Sequence, residues 1–134
     1  MSILADQDAA APAATPLHLA QEFMMRARGR GAFLRAAGAG AFCQLAHAPL
    51  FIWPAFVIGM TLFVWSLDGA RNCPNKLRAF AWRGWSFGFG YFLAGLFWVG
   101  GAFLVEPEKF AIFLPFAISA LPAGLGLFWA AAAV

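Results

Sequence analysis

Charged residues are scarce in this chain. Lys, Arg, Asp and Glu together make up 11% of 134 residues, and only 6 of them are acidic. Tyrosine occurs once, and histidine and cysteine twice each. Each shortage excludes something. Cys43 and Cys73 form no C-x-x-C pair and no disulfide framework. The histidines belong to no Cys/His cluster, and Walker, Rossmann and zinc-binding spacings are absent from the sequence. No metal and no cofactor is therefore expected. So few charges also cannot coat the surface of an ordinary soluble domain.

What the chain has instead is apolar mass. It is 63% hydrophobic and 17% aromatic, with a mean hydropathy of +0.75. A soluble domain of this length has too little interior to hide that much apolar surface. A bilayer supplies the missing apolar phase. The net charge of +3 would suggest a nucleic-acid partner in a soluble protein. Here the basic residues flank apolar runs, so they are read as topology signals, and no nucleic acid is expected. Abundant Arg, Ala and Gly fit a GC-rich bacterial genome.

The chain divides into a mobile basic cytoplasmic tail over 1–31 and a four-helix membrane domain over 32–134. Residues 1–22 are Ala/Pro-rich and polar, without a signal peptide's order of basic end, apolar centre and cleavage site. Met24 or Met25 is an alternative start. A first span covers about 32–48, and its "AAGAGAF" suits contact with other helices better than contact with lipid. A second covers about 50–67. The polar stretch "DGARNCPNKLRAFAWR" follows, with turn signals at Asp68-Gly69 and Cys73-Pro74-Asn75. A third span covers about 84–105. In it Gly84, Gly88 and Gly95 share one face, and Gly90 and Ala94 form a second small-residue pair, all candidate helix-packing positions. "EPEKF" connects to a fourth span over about 111–134, where Pro115 and Pro122 are expected to bend the helix.

The stretch "LAHAPLFIWPAF" sets the topology. Reading 32–67 as one helix would make it roughly 54 Å long, too long for a bilayer. A hairpin tip there places His47, Pro49, Trp53 and Pro54 at an interface. Arg26, Arg28 and Arg30 then precede the first span, Arg35 stands in its first turn, and Arg71, Lys76, Arg78 and Arg83 lie between the second and third. Only Lys109 lies elsewhere. The positive-inside rule puts the N-terminus in the cytoplasm and both short hairpin tips outside. The expected fold is thus an all-α integral membrane domain of about four transmembrane helices in two hairpins.

Chemistry is thin. His47 could carry a proton or hold a ligand, but a lone histidine at a hairpin tip is more simply a side chain within reach of water. Cys43 could be a nucleophile, but it lacks a local base, and a buried thiol is usually inert packing. Glu106 and Glu108 read better as a solvated loop face than as an acid/base pair. Trp53, Trp82, Trp85 and Trp98 could stack on a ligand, yet tryptophan is also the usual interface anchor. No charge falls deep within a span, which counts against a channel or proton pump.

The order of these pieces resembles the start of bacterial apolipoprotein N-acyltransferases. Leu45-Ala46, Pro49 and Trp53-Pro54 match that family's first hairpin. Gly84, Gly88, Phe89, Gly90, Tyr91, Phe92, Gly95, Trp98 and Val99 match its third helix. The similarity covers roughly 33–134, and His47 departs from the aromatic residue usual at its position. The resemblance implies a multi-pass protein of the bacterial inner membrane. It implies an enzyme that transfers an acyl chain from a membrane phospholipid to the N-terminal cysteine amine of an apolipoprotein. The family's Glu-Lys-Cys set lies in an extracytoplasmic nitrilase-like domain, and no residue here matches it. The expectation is a membrane portion of that enzyme, a fragment inactive alone, engaging apolipoprotein only if the catalytic domain is supplied. The competing reading is a small non-enzymatic membrane protein that associates with a larger complex through its glycine-rich helix faces. A transporter is a weaker third.

Overall fold

The computed structural model describes residues 15–47, 50–96 and 114–134. Its elements are α1 (Pro16–Met25), α2 (Gly29–Cys43), a 3-10 turn (Gln44–Ala46), α3 (Trp53–Ala70), α4 (Lys76–Gly95) and α5 (Leu114–Ala133). The fold is all-α among the described residues. By length and composition one described helix, Trp53–Ala70, could cross a membrane, and Ile118–Ala133 is apolar but shorter.

Local chemistry explains the helix ends. α3 opens on Trp53-Pro54, where a missing N–H costs nothing. α4 opens on Asn75, whose side-chain oxygen accepts from the Arg78 backbone N–H at 3.3 Å. α4 therefore begins eight residues before the apolar stretch at 84, because hydropathy marks the greasy part of a helix and caps mark its end. The final residues of the expected third span, 97–105, lie outside the described residues, as do 111–113 of the fourth. Pro115 is the second described residue of α5; Pro122 is the proline inside that helix, and it is buried.

The close approaches give the helix directions. Cys43, at the end of α2, meets Gly59 near the start of α3, whereas Ala27, just before α2, is joined through Arg83 to Ser66 near the end of α3, so α2 and α3 are antiparallel. Ala27, Ala37 and Gln44 meet Arg83, Gly90 and Tyr91 in the same order, so α2 and α4 are parallel. Gly84 meets Ala133 and Gly88 meets Gly126, so α4 and α5 are antiparallel. The helices alternate in direction. That brings Arg26, Arg28 and Arg30 to the same end as Arg71, Lys76, Arg78 and Arg83, and His47 to the other.

The core is small. Ala36, Ala39, Cys43, Phe63 and Phe87 are buried together, with Tyr91 and Trp129 packed on them. The Phe63 and Phe87 rings stack at 4.2 Å between centroids, and Trp129 meets Phe63 edge-on at 5.6 Å. Large apolar side chains face outward instead: Leu34, Trp53, Val57, Ile58, Val64, Leu127 and Phe128 are all exposed. Alanine and glycine inside, with leucine, valine and aromatics outside, inverts the usual soluble pattern.

Residues 16–25 differ from the expected mobile tail. They form α1, which packs on α3 and buries Met24 to 4% exposure. Leu17, Leu19, Ala20, Phe23 and Met24 supply the apolar content that the surrounding Ala/Pro composition masks. Gly29, at φ +54, lets the chain reverse sharply between α1 and α2.

The hairpin between α2 and α3 carries strain. The backbone N–H groups of Leu50 and Phe51 both donate to the His47 carbonyl at 3.1 Å, and Phe51 is held at φ +51. A left-handed conformation costs a non-glycine residue about 1–2 kcal/mol. Phe51 is also 70% exposed, so little packing depends on it. Phe51→Gly is expected to raise stability by up to about 1 kcal/mol, since glycine's extra unfolded-state freedom offsets part of the relief. Thermal unfolding of the detergent-solubilised chain would show it; a clear drop in melting temperature contradicts the strain.

Candidate functional site

The helix-packing glycines fall on different neighbours. Gly84 and Gly88 face α5: a Cβ on Gly84 would lie 2.5 Å from the Trp129 carbonyl oxygen, and one on Gly88 would lie 2.7 Å from Trp129 Cδ1. Gly90 faces α2, where a Cβ would overlap the Ala37 carbonyl. Gly95 does not continue the α5-facing row. Its Cβ would overlap the side-chain amide of Gln44, which donates to the Tyr91 carbonyl at 3.0 Å. The long Gln44 side chain reaches over the end of α4, a contact that helical spacing alone does not reveal. Ala94 lines an apolar groove of about 650 Å³ between α2 and α4, together with Phe33, Leu34, Ala37 and Leu93.

At the end opposite the basic residues, His47 is exposed. Its Nε2 lies 3.4 Å from the Tyr91 hydroxyl, with the rings edge-on at 5.9 Å. Trp53 is 71% exposed beside Pro54 in the first turn of α3. Pro49 lies outside the described residues, as do Trp98, Glu106 and Glu108. Trp82 and Trp85 stack at 5.3 Å, and the Trp85 indole N–H donates to the Ala123 carbonyl of α5 at 2.9 Å.

Among the described residues nothing assembles a catalytic set. The Cys43 thiol is buried under Gly59 and lies 3.8 Å from the Phe56 carbonyl oxygen. The Cys73 thiol lies 3.9 Å from the Gly69 carbonyl oxygen at the opposite end of α3. No described group of three His, Cys, Asp or Glu side chains could hold a metal.

The polar feature missed by sequence reasoning is Arg83. Its position beside an apolar span marked it only as a topology signal, yet it is 3% exposed. Its Nη2 donates to the Ala27 carbonyl at 2.7 Å and its Nη1 to the Ser66 carbonyl. Gly69 leaves room for it: a Cβ there would lie 2.5 Å from Nη1. No carboxylate pairs with Arg83 among the described residues. Backbone carbonyls carry the burden, and one guanidinium fork joins the α1–α2 turn, α3 and α4.

A helical arrangement with small-residue contacts is common to many proteins, so similarity to known chains decides the family. The profile of the apolipoprotein N-acyltransferase N-terminal domain matches residues 39–134. The chain belongs to the apolipoprotein N-acyltransferase family. It is 46% identical to the apolipoprotein N-acyltransferase of Sinorhizobium medicae over 94 residues, covering 66% of this chain and 18% of that protein. It is 47% identical to that of Rhodopseudomonas palustris over 86 residues, covering 63% and 16%. It is 48% identical to that of Rhizobium etli over 86 residues, covering 60% and 16%. The matched stretch is thus less than a fifth of the curated relatives' length. No solved structure is significantly similar. The family match takes in α3, α4, α5 and the last turns of α2, and leaves α1 outside it.

Proposed function

We propose that this chain is the N-terminal membrane portion of an enzyme that N-acylates the N-terminal cysteine of bacterial lipoproteins, with a phospholipid as acyl donor. The single observation that carries the reading is the family match over 39–134. The alternating helix directions, the outward-facing apolar side chains and the gathering of basic residues at one end support a multi-pass position in the inner membrane. In this reading the basic end faces the cytoplasm and the His47 end faces outward.

The division of labour follows from the chemistry. Acyl transfer needs an activated nucleophile and donors for the oxyanion. The described residues offer neither, so the reacting groups belong to the four-fifths of the relatives' length that the matched stretch does not include. These helices anchor the enzyme and hold that portion against the outer leaflet.

A chimera tests the reading. Residues 39–134 replace the matching stretch of the Sinorhizobium medicae enzyme, and the product is tested for lipoprotein N-acylation in membranes. An active chimera is expected, while the 134-residue chain alone gives no turnover. A chimera that inserts but never acylates would favour an independent, non-enzymatic membrane protein that pairs with a larger complex.

A further inference from the structure

At the basic end, the α1–α2 turn and the C-terminal end of α3 enclose a recess of about 420 Å³, lined by Glu22, Met25, Arg26, Arg28, Gly69 and Asn72. Its charge is not balanced. Arg26 Nη2 lies 3.1 Å from Glu22 Oε2, so those two charges offset each other. Arg28 is exposed and forms no ion pair among the described residues. Asn72 adds amide donors at the opposite wall. Arg30 and Arg71 stand at the same end, and Arg71 is matched by Asp68 at 3.4 Å.

The recess also has an apolar approach. Leu19 lies three residues before Glu22, one turn along α1 toward the middle of the bundle, and is 56% exposed. Together the surface offers a cationic recess with a greasy ledge beside it. That combination suits an amphiphile with an anionic head. Its volume is in the range of small-ligand sites, roughly 300–1,000 Å³. Basic recesses between helices on the cytoplasmic side of membrane proteins bind anionic headgroups by this chemistry.

We propose that this recess holds the phosphate headgroup of an anionic phospholipid from the cytoplasmic leaflet, with Arg28 and Arg26 on the phosphate and an acyl chain over Leu19. The bound lipid is not the acyl donor. It fastens the α1–α2 turn to the membrane surface. The proposal rests on the membrane orientation given above.

Native mass spectrometry of the full chain in detergent tests it, with phosphatidylglycerol and phosphatidylcholine as probes. The chain is expected to bind one phosphatidylglycerol about fivefold more tightly than phosphatidylcholine, given roughly 1 kcal/mol for the one unbalanced arginine. Arg26→Gln with Arg28→Gln removes the preference. Arg28→Lys retains most of it, which separates loss of charge from loss of fold. Arg78→Gln, at the same end but outside the recess, leaves it unchanged. Excess inorganic phosphate does not displace the lipid. Persistence of the preference in the double variant, equal loss in Arg78→Gln, or displacement by phosphate alone each overturns the proposal. Alkaline extraction distinguishes the two readings: a chain stripped from membranes defeats the orientation, whereas an inserted chain without lipid preference defeats only this site.

Discussion

Gly90→Leu is expected to unseat α2 from α4. The Gly90 Cα packs on the Ala37 backbone so closely that even one added carbon overlaps the Ala37 carbonyl and lies 2.7 Å from the Ala37 Cα. Backbone cannot swing aside as a side chain can, so the helices must separate along the seam. Overpacking of this kind costs about 1–3 kcal/mol, and more where neighbours cannot yield. Separation also opens the Gln44 bond to the carbonyl of Tyr91, the next residue of α4. Gly124→Ala is the matched control, because a Cβ there meets nothing within 4 Å. The detergent-solubilised Gly90 variant should unfold at clearly lower temperature, with the Gly124 variant like the parent. Equal stability of both would mean that the α2–α4 contact is not close.

Arg83→Leu should loosen the basic end while sparing the rest. The substitution removes two charge-assisted bonds, to the Ala27 and Ser66 carbonyls, and nothing apolar can replace them. Hydrogen bonds to charged groups contribute about 1.5–3 kcal/mol each, so a loss of about 3 kcal/mol is expected. Arg83→Lys should recover only part of it, since one ammonium lacks the planar fork that spans both acceptors. Limited trypsin digestion reads the effect locally. Cleavage at Arg26 and Arg28 should accelerate in Arg83→Leu as the α1–α2 turn is released. Unchanged cleavage rates together with unchanged melting would remove Arg83 from its anchoring role.

These two residues show what the sequence makes legible. Glycine spacing on the third apolar run marks it as a packing helix, because only small side chains allow close approach in a bilayer. It does not say which neighbour each glycine meets; Gly95 departs from Gly84 and Gly88 because a long glutamine reaches in from another helix. The break at 45–54 is legible from its prolines and from the length a bilayer allows. Helix ends are less so: α4 starts at Lys76 because Asn75 caps it, a local bond that hydropathy cannot register. Arg83 was hidden for the same kind of reason. Its partners, Ala27 and Ser66, are backbone carbonyls, which have no signature in the sequence. α1 was hidden by composition, its apolar residues diluted by the Ala/Pro-rich stretch that precedes them. The candidate catalytic chemistry is a different case, for the described residues bring no nucleophile and base together that a sequence pattern could have marked.

We propose that the alternating bundle spans the inner membrane with its basic end in the cytoplasm. Single cysteines placed at His47 and at Lys76, in a Cys43→Ala/Cys73→Ser background, test it in intact spheroplasts with a membrane-impermeant maleimide. Both positions are exposed in the structure. Labelling at 47 from outside and labelling at 76 only after lysis are expected. Labelling of both from the same side would contradict it.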